Sequence, residues 1–249
     1  MTASLSEIFR HPIKAHGAEA LTTIEVQAGR TLPWDRHWAV LHEHAKADGS
    51  EWAPCANFSR GAKVASLMAI SATFDDQDET IRLKHPDIGE LAFDPNSETS
   101  QFLDWVRPLM PENRAASAAI VSAPERGMTD TPFPSISLGN HATLDALSDR
   151  LGVTLDPRRF RANFWIKGLQ PWEEFDWIGK TLRIGDVAFR VEERITRCRA
   201  TMANPETGKT DADTLGALEG GWNHTDFGIY IVAEGSGRVS VGDPLEVLA

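Results

Sequence analysis

Cysteine is scarce, positive charge is outnumbered and long apolar runs are missing, and each shortage narrows what the chain can be. Two cysteines in 249 residues, at positions 55 and 198, leave no disulfide framework and no metal-knuckle spacing, which suits a reducing compartment. They also exclude a four-cysteine iron–sulfur pattern, and no flavin or nicotinamide fingerprint stands in its place. The 25 Lys and Arg face 36 Asp and Glu, a net charge of −11. A nucleic-acid polymer or a membrane surface needs a broad basic face to meet phosphate, so neither is expected as a partner; a local basic pocket is still permitted. No run approaches the roughly 18 apolar residues of a membrane span. The first 17 residues lack the apolar core and small-residue cleavage site of a secretory signal. The expectation is a cytoplasmic protein with no membrane span.

What is present is enough for a sizeable interior. With 41% hydrophobic residues, the chain can bury one large core or two modest ones, and two domains are expected. Short β-rich segments at 4–12, 21–27 and 34–41, punctuated by Gly and Pro, suggest a small barrel or sandwich. Residues 64–74 and 80–84 read as a strand pair around a solvated acidic turn. The spacing of Phe102, Trp105, Val106 and Leu109 predicts an amphipathic helix over 97–109. The small, polar stretch 111–118 is the expected boundary between a domain at 1–115 and another at 116–249. Beyond it, 128–138 reads as an apolar strand rich in hydroxyls. A helix follows, capped by Asn140, striped by Leu144, Leu147 and Leu151 and stopped by Gly152. Gly185-Asp186 joins a hairpin over 181–184 and 188–194, and closing strands lie near the end. The fold class is mainly β, of the α+β kind, with a small β-barrel-like domain ahead of a β-rich domain that carries a few helices.

Cys198 stands between Arg197 and Arg199, ahead of a turn signal at 203–208. Neighbouring cations favour the thiolate, the form that attacks carbon or binds a soft metal; the alternative is a small buried hydrophobe. Cys55 has no flanking charge and reads as structural. Arg158, Arg159 and Arg161 crowd four positions. They offer planar donors suited to phosphate or another multiply charged anion, or else form a solvated basic turn. His42 and His44 share a strand face, without a third ligand nearby. Residues 203–210 imitate a Walker A loop, yet Ala203 replaces the first glycine and Pro205 removes an amide donor. The 235–240 stretch lacks the third glycine of a dinucleotide fingerprint.

Taken in order, the motifs resemble the MOSC superfamily, named for the C-terminal domain of molybdenum cofactor sulfurases. The residues that carry the resemblance are His11-Pro12-Ile13-Lys14, Asp35-Arg36-His37-Trp38, Thr131-Pro132-Phe133, Arg159-Phe160-Arg161-Ala162-Asn163, Arg197-Cys198 with Thr201, Asn204-Pro205-Glu206-Thr207-Gly208, Ile184-Gly185-Asp186 and Val241-Gly242-Asp243-Pro244. Within the superfamily, the chain is similar to the amidoxime-reducing components and their bacterial counterparts. That resemblance implies an N-terminal MOSC β-barrel domain followed by a MOSC domain that binds the molybdenum cofactor, a molybdopterin with Mo, and not pyridoxal phosphate. It implies a molybdenum-dependent oxidoreductase that reduces small N-hydroxylated substrates (hydroxylated bases, amidoximes and hydroxylamines), a detoxification chemistry. Electrons would come from a separate donor protein, ferredoxin- or cytochrome-type with its reductase. Cys198 would be the catalytic thiolate on the metal. Lys14, Arg36, Thr131, Arg161 and Asn163 would hold the cofactor, with Arg159 and Arg197 as additions. His224 and Asp226 are candidates for proton delivery or plain loop residues. The alternative function is a cofactor carrier or sulfur-transfer module without reductase turnover.

Overall fold

The computed structural model describes residues 3–123 and 126–248; Met1, Thr2 and Ala249, the outer ends of the two expected domains, lie outside the described residues. In chain order the strands are β1 (Ser4–Arg10), β2 (Glu19–Leu21), β3 (Thr23–Val26), β4 (Trp38–His42), β5 (Ser71–Asp75), β6 (Thr80–His85), β7 (Gly89–Phe93), β8 (Ser117–Ser122), β9 (Ile136–Asn140), β10 (Phe164–Lys167), β11 (Thr181–Ile184), β12 (Val187–Thr196), β13 (Asp226–Ala233), β14 (Gly237–Ser240) and β15 (Leu245–Leu248). The α-helices are α1 (Thr99–Val106), α2 (His141–Leu151) and α3 (Thr214–Trp222). The architecture is mainly β with a few helices, an α+β arrangement.

The largest sheet runs β15-β11-β12-β13-β9-β10-β1-β2. Its pairs are antiparallel except β9 with β10, which α2 joins as a crossover, the connection a parallel pair requires. Residues 4–21 therefore complete a sheet whose other strands all come from beyond residue 135, and β3 pairs with β14. One core lies along this sheet around Leu5 of β1, Leu138 of β9, Phe189 of β12 and Ile229 and Ile231 of β13, all fully buried. At its edge β11 and most of β12 alternate as a half-covered antiparallel sheet should, whereas β9 is buried at all five positions and β10 at its first three, as expected of strands covered on both faces.

The rest of the N-terminal half forms a second body: the β4–β8 ribbon, the β5-β6-β7 meander and α1. They pack around Trp38, Phe74, Phe93 and Phe102, with the Phe93 and Phe102 rings stacked at 5.4 Å. The sequence pattern locates α1 well, because Phe102 and Val106 do form its buried stripe. It locates α2 better still: the Asn140 side chain accepts from the Ala142 N–H, and Gly152 closes the helix in the left-handed conformation.

Three expected strands are shorter than their hydrophobicity suggests, and all three irregular pieces contribute to the lining of one cavity. The strand expected over 34–41 begins only at Trp38. Trp34 and Arg36 are left-handed, with φ of 63° and 53°; the turn is tied down by Arg36 N–H to His11 C=O at 2.6 Å and by His11 N–H to Asp35 Oδ1 at 2.8 Å. The strand expected over 128–138 begins at Ile136. Pro132 and Pro134 remove ladder donors, and the Thr131 hydroxyl bonds locally to Phe133 C=O and to Ser135 Oγ, both at 2.8 Å. Between 64 and 74, a 3-10 turn at Ala65–Ala69 precedes β5.

Candidate functional site

A cavity of about 440 Å³ opens between the large sheet and the N-terminal body. Every residue expected at the site lines it: Lys14, Arg36, Thr131, Arg159, Arg161, Asn163, Arg197 and Cys198. They arrive from the segment after β1, the left-handed turn before β4, the irregular run before β9, the turn before β10 and the end of β12. Seven cationic side chains and two carboxylates, Asp130 and Glu193, line the cavity, so a chain of net charge −11 keeps a positive pocket at its centre. A low-dielectric concavity of one sign concentrates ligands of the other.

The deep cations are immobilised. Arg36 bonds to Asp35 and donates from Nη2 to the Arg161 carbonyl at 2.9 Å. Burial works against the Asp35 carboxylate, yet the Arg36 charge and the His11 contacts overrule it and hold its pKa well below the usual range. Lys14 Nζ donates to Met128 C=O at 2.7 Å and to Asp130. Asn163 is locked too: its Oδ1 accepts from the Ser137 N–H and hydroxyl at 3.1 and 2.8 Å, while Nδ2 donates to Phe9 C=O at 3.2 Å.

Arg161, left-handed at φ 49°, donates from Nη1 to Gly17 C=O at 3.0 Å. Burial, with Arg36 beside it, pulls its pKa down to about 9. Arg197 turns back from the Cys198 peptide into the protein, donating to Phe227 C=O at 2.7 Å and Phe160 C=O at 2.8 Å; burial lowers its pKa to about 10. Both stay protonated at neutral pH. Among the described residues, Nη2 of Arg161 and Nη2 of Arg197 are buried without a hydrogen-bond partner.

Arg159 is held differently. It pairs with Asp211 at 2.6 Å and donates to Met202 C=O at 3.2 Å, so it fastens the loop that follows Cys198. That loop starts with a 3-10 turn at Arg199–Met202, for which Cys198 is the N-cap residue. Thr201 bonds to the Cys198 carbonyl at 3.1 Å and to the Thr214 hydroxyl at 2.6 Å. The Cys198 thiol itself is exposed, which removes the reading of it as a small buried hydrophobe.

Other candidates lie elsewhere. The His224 ring packs on Trp172 and Phe175, and Asp226 accepts the Thr196 hydroxyl; neither lines the cavity. The His42 and His44 rings are 6.4 Å apart, and among the described residues no group of three potential ligands surrounds them. Arg158 pairs with Asp156. No helix among the described residues is long and apolar enough to cross a membrane.

Sequence reasoning missed much of the cavity wall, Tyr230, Cys55 and Arg60 among it. Tyr230, the chain's one tyrosine, sits on β13 opposite Glu193 of β12; burial and the nearby Asp130 push its pKa up to about 12, so the phenol stays protonated. A lone phenol among apolar strand residues was its available signal. Cys55 also lines the cavity and is not without charge: Arg60 Nη1 donates to its Sγ at 2.8 Å. The charge comes from five positions on, through a turn that no flanking-residue reading detects.

Residues 130–246 match the family model of the MOSC domain, and residues 2–116 match that of the MOSC N-terminal beta barrel domain. Mitochondrial amidoxime-reducing component 1 of Mus musculus is 30% identical over 131 residues, covering 47% of this chain and 37% of that protein. Molybdenum cofactor sulfurase of Caenorhabditis elegans is 34% identical over 108 residues, covering 42% of this chain and 14% of that protein. The chain thus spans less than half the length of these curated relatives. Among solved structures, the YuaD protein of Bacillus subtilis covers 99% of this chain and 96% of its own, with 13% identity and a TM-score of 0.49.

Proposed function

The chain belongs to the MOSC family, and from that premise we propose that it is a molybdenum-cofactor-dependent reductase of N-hydroxylated compounds. The observation that carries the reading is the meeting, in one cavity, of the exposed Cys198 with two half-buried arginines, each of which keeps a buried Nη2 without a partner. A buried donor left unsatisfied costs about 1–3 kcal/mol, and more when charged. Such donors fit a group of opposite charge, and the phosphate of a molybdopterin is one. Lys14, Arg36, Thr131 and Asn163 would complete the cradle, and Arg159 would hold the Cys198 loop. The Cys198 thiolate, a soft donor, would ligate the metal.

Bound there, the molybdenum cofactor would supply two-electron reduction at an open metal position. An N-hydroxylated substrate takes up two electrons and two protons, its N–O bond breaks, and the amine or amidine leaves with one water. The electrons would come from a separate donor protein, ferredoxin- or cytochrome-type with its reductase. The chain's own part would be to orient the substrate and hold protons; Tyr230, whose phenol stays protonated, is one of several protonated groups on the cavity wall that would be available to donate to the departing oxygen. Similarity to the sulfurases and the exposure of Cys198 favour a second reading, a cofactor carrier or sulfur-transfer module.

Metal analysis separates these outcomes. Wild-type protein purified from a host that makes the cofactor should contain molybdenum, and Cys198→Ser should lose most of it. Wild type without molybdenum sinks the reductase. With molybdenum present, reduction of a hydroxylated purine by an artificial donor marks a reductase, and no turnover marks a carrier.

A further inference from the structure

The outer wall of the cavity is built by the segment that follows β4, which the cofactor residues leave unexplained. The chain makes a 3-10 turn at Cys55–Asn57, passes Arg60, Gly61 and Ala62, and enters the second 3-10 turn at Ala65–Ala69. It lies beside the Cys198 loop: a Cβ on Gly61 would be in ordinary contact with Ala200 Cβ at 3.5 Å, while Met68 of the segment itself crowds that position at 2.5 Å. Arg60, Gly61, Ala62 and Met68 of this segment line the same cavity as Cys198.

Arg60 is half-buried in that wall. Of the other cations, Lys14, Arg36 and Arg159 are ion-paired to Asp130, Asp35 and Asp211, Arg161 and Arg197 are tied to backbone carbonyls, and Arg194 lies over the Phe175 ring. Among the described residues no carboxylate lies within ion-pair distance of Arg60, whose side-chain partner is the Cys55 thiol, bonded through Nη1. On its far side Arg60 borders a cavity of about 180 Å³ with Lys63 and Arg114, cations that also lack a carboxylate partner among the described residues. Their charge raises the potential at Arg60 instead of neutralising it. With Nη1 engaged, Nε and Nη2 remain, and that edge of a guanidinium forms the two-pronged fork that matches a carboxylate.

We propose that Arg60 is a specificity-determining residue that binds a carboxylate on the substrate, so that the preferred substrates are N-hydroxylated compounds bearing a carboxylate. The proposal rests on the reductase reading for its substrate class. Charge-assisted pairing in a partly desolvated site supports a discrimination of about tenfold or more.

The test compares benzamidoxime with its para-carboxylate. In calorimetry on wild-type protein without an electron donor, the carboxylated compound should bind about tenfold more tightly; equal binding overturns the proposal, and this measurement holds whether or not the protein turns over substrate. With a reduced viologen as donor, the ratio of kcat/KM for the carboxylated over the neutral substrate should fall about tenfold in Arg60→Gln, through KM, and recover in part in Arg60→Lys. An unchanged ratio overturns the proposal. So does loss of molybdenum from Arg60→Gln, which would make Arg60 a cofactor residue. If wild type lacks molybdenum yet prefers the carboxylated compound in calorimetry and Arg60→Gln abolishes that preference, the reductase reading fails and the carboxylate subsite stands; a preference that survives Arg60→Gln overturns the proposal.

Discussion

The deep and outer walls of the cavity hold their cations in opposite ways. Deep in the molecule, Arg36, Arg161 and Arg197 are fixed by carbonyls from three separate segments and by Asp35. Like charges held this close, and buried, require a rigid frame. Elsewhere on the lining the restraint is slighter: Arg60, after β4, leans on a thiol, and Arg194 of β12 lies over the Phe175 ring at 4.3 Å. A fixed array is complementary to a group that stays bound, because the ordering entropy is met on folding. A looser pair of guanidiniums suits ligands that come and go. The same residue type thus serves two purposes, distinguished by what restrains it.

The sharpest way to break the comparison is to push on the frame itself. Gly228 has φ 73°, and a Cβ there would lie 2.4 Å from the Leu138 carbonyl and 3.3 Å from Arg197 Nη2. Gly228→Ala combines left-handed strain with overpacking and should lower unfolding stability by about 3 kcal/mol. Chemical denaturation measures it; a loss under about 1 kcal/mol would mean that the deep wall is not rigid.

Acid should also act on the deep wall. Burial, together with Arg161 and Arg36, lowers the His11 pKa from 6.5 to about 3, and burial lowers that of His16 to about 4. Below pH 6.5 the unfolded chain takes up protons that the folded chain refuses, so stability is full above that pH and falls as pH drops toward the folded values. Each histidine contributes about 1.4 kcal/mol per pH unit inside that window. Denaturation midpoints at about pH 7, 6 and 5 should show the decline, and His11→Asn should make it shallower; an unaltered slope would count against the buried, neutral histidine.

The smallest stability effect should accompany a large loss of ligand. Arg161→Ala relieves repulsion with Arg36, so its unfolding stability should change by no more than about 1 kcal/mol, while molybdenum content drops severalfold. Parallel loss of both would make Arg161 a structural cation.

Much of this cavity could be read from the chain, though not its two walls. Cys198 stands out because cysteine is rare and its neighbours are arginines, and Arg159 and Arg161 stand out because arginines cluster. Lys14, Arg36 and Asn163 carry no local signal of their own and became candidates through ordered short motifs. Arg36 is instructive. Its surroundings read as a strand, yet the Asp35–His11 contact, made across 24 positions, turns the backbone left-handed and aims the guanidinium inward. Cys55 with Arg60, and Tyr230 with Glu193, were invisible as pairs for the same reason.

The sequence by itself determined the mainly β character, the apolar stripes of α1 and α2, both caps of α2, the family and the rare thiol, because periodicity, capping and motif order act over a few residues. Only the tertiary structure decided that residues 4–21 complete the large sheet, that Arg159 pairs with Asp211 to fasten a loop while Arg161 and Arg197 are tied to carbonyls, and that Cys55 lines the same cavity as Cys198. Those outcomes depend on which distant carbonyls and carboxylates each side chain meets on folding, and burial, charge pairing and close packing act between segments that are neighbours only in space.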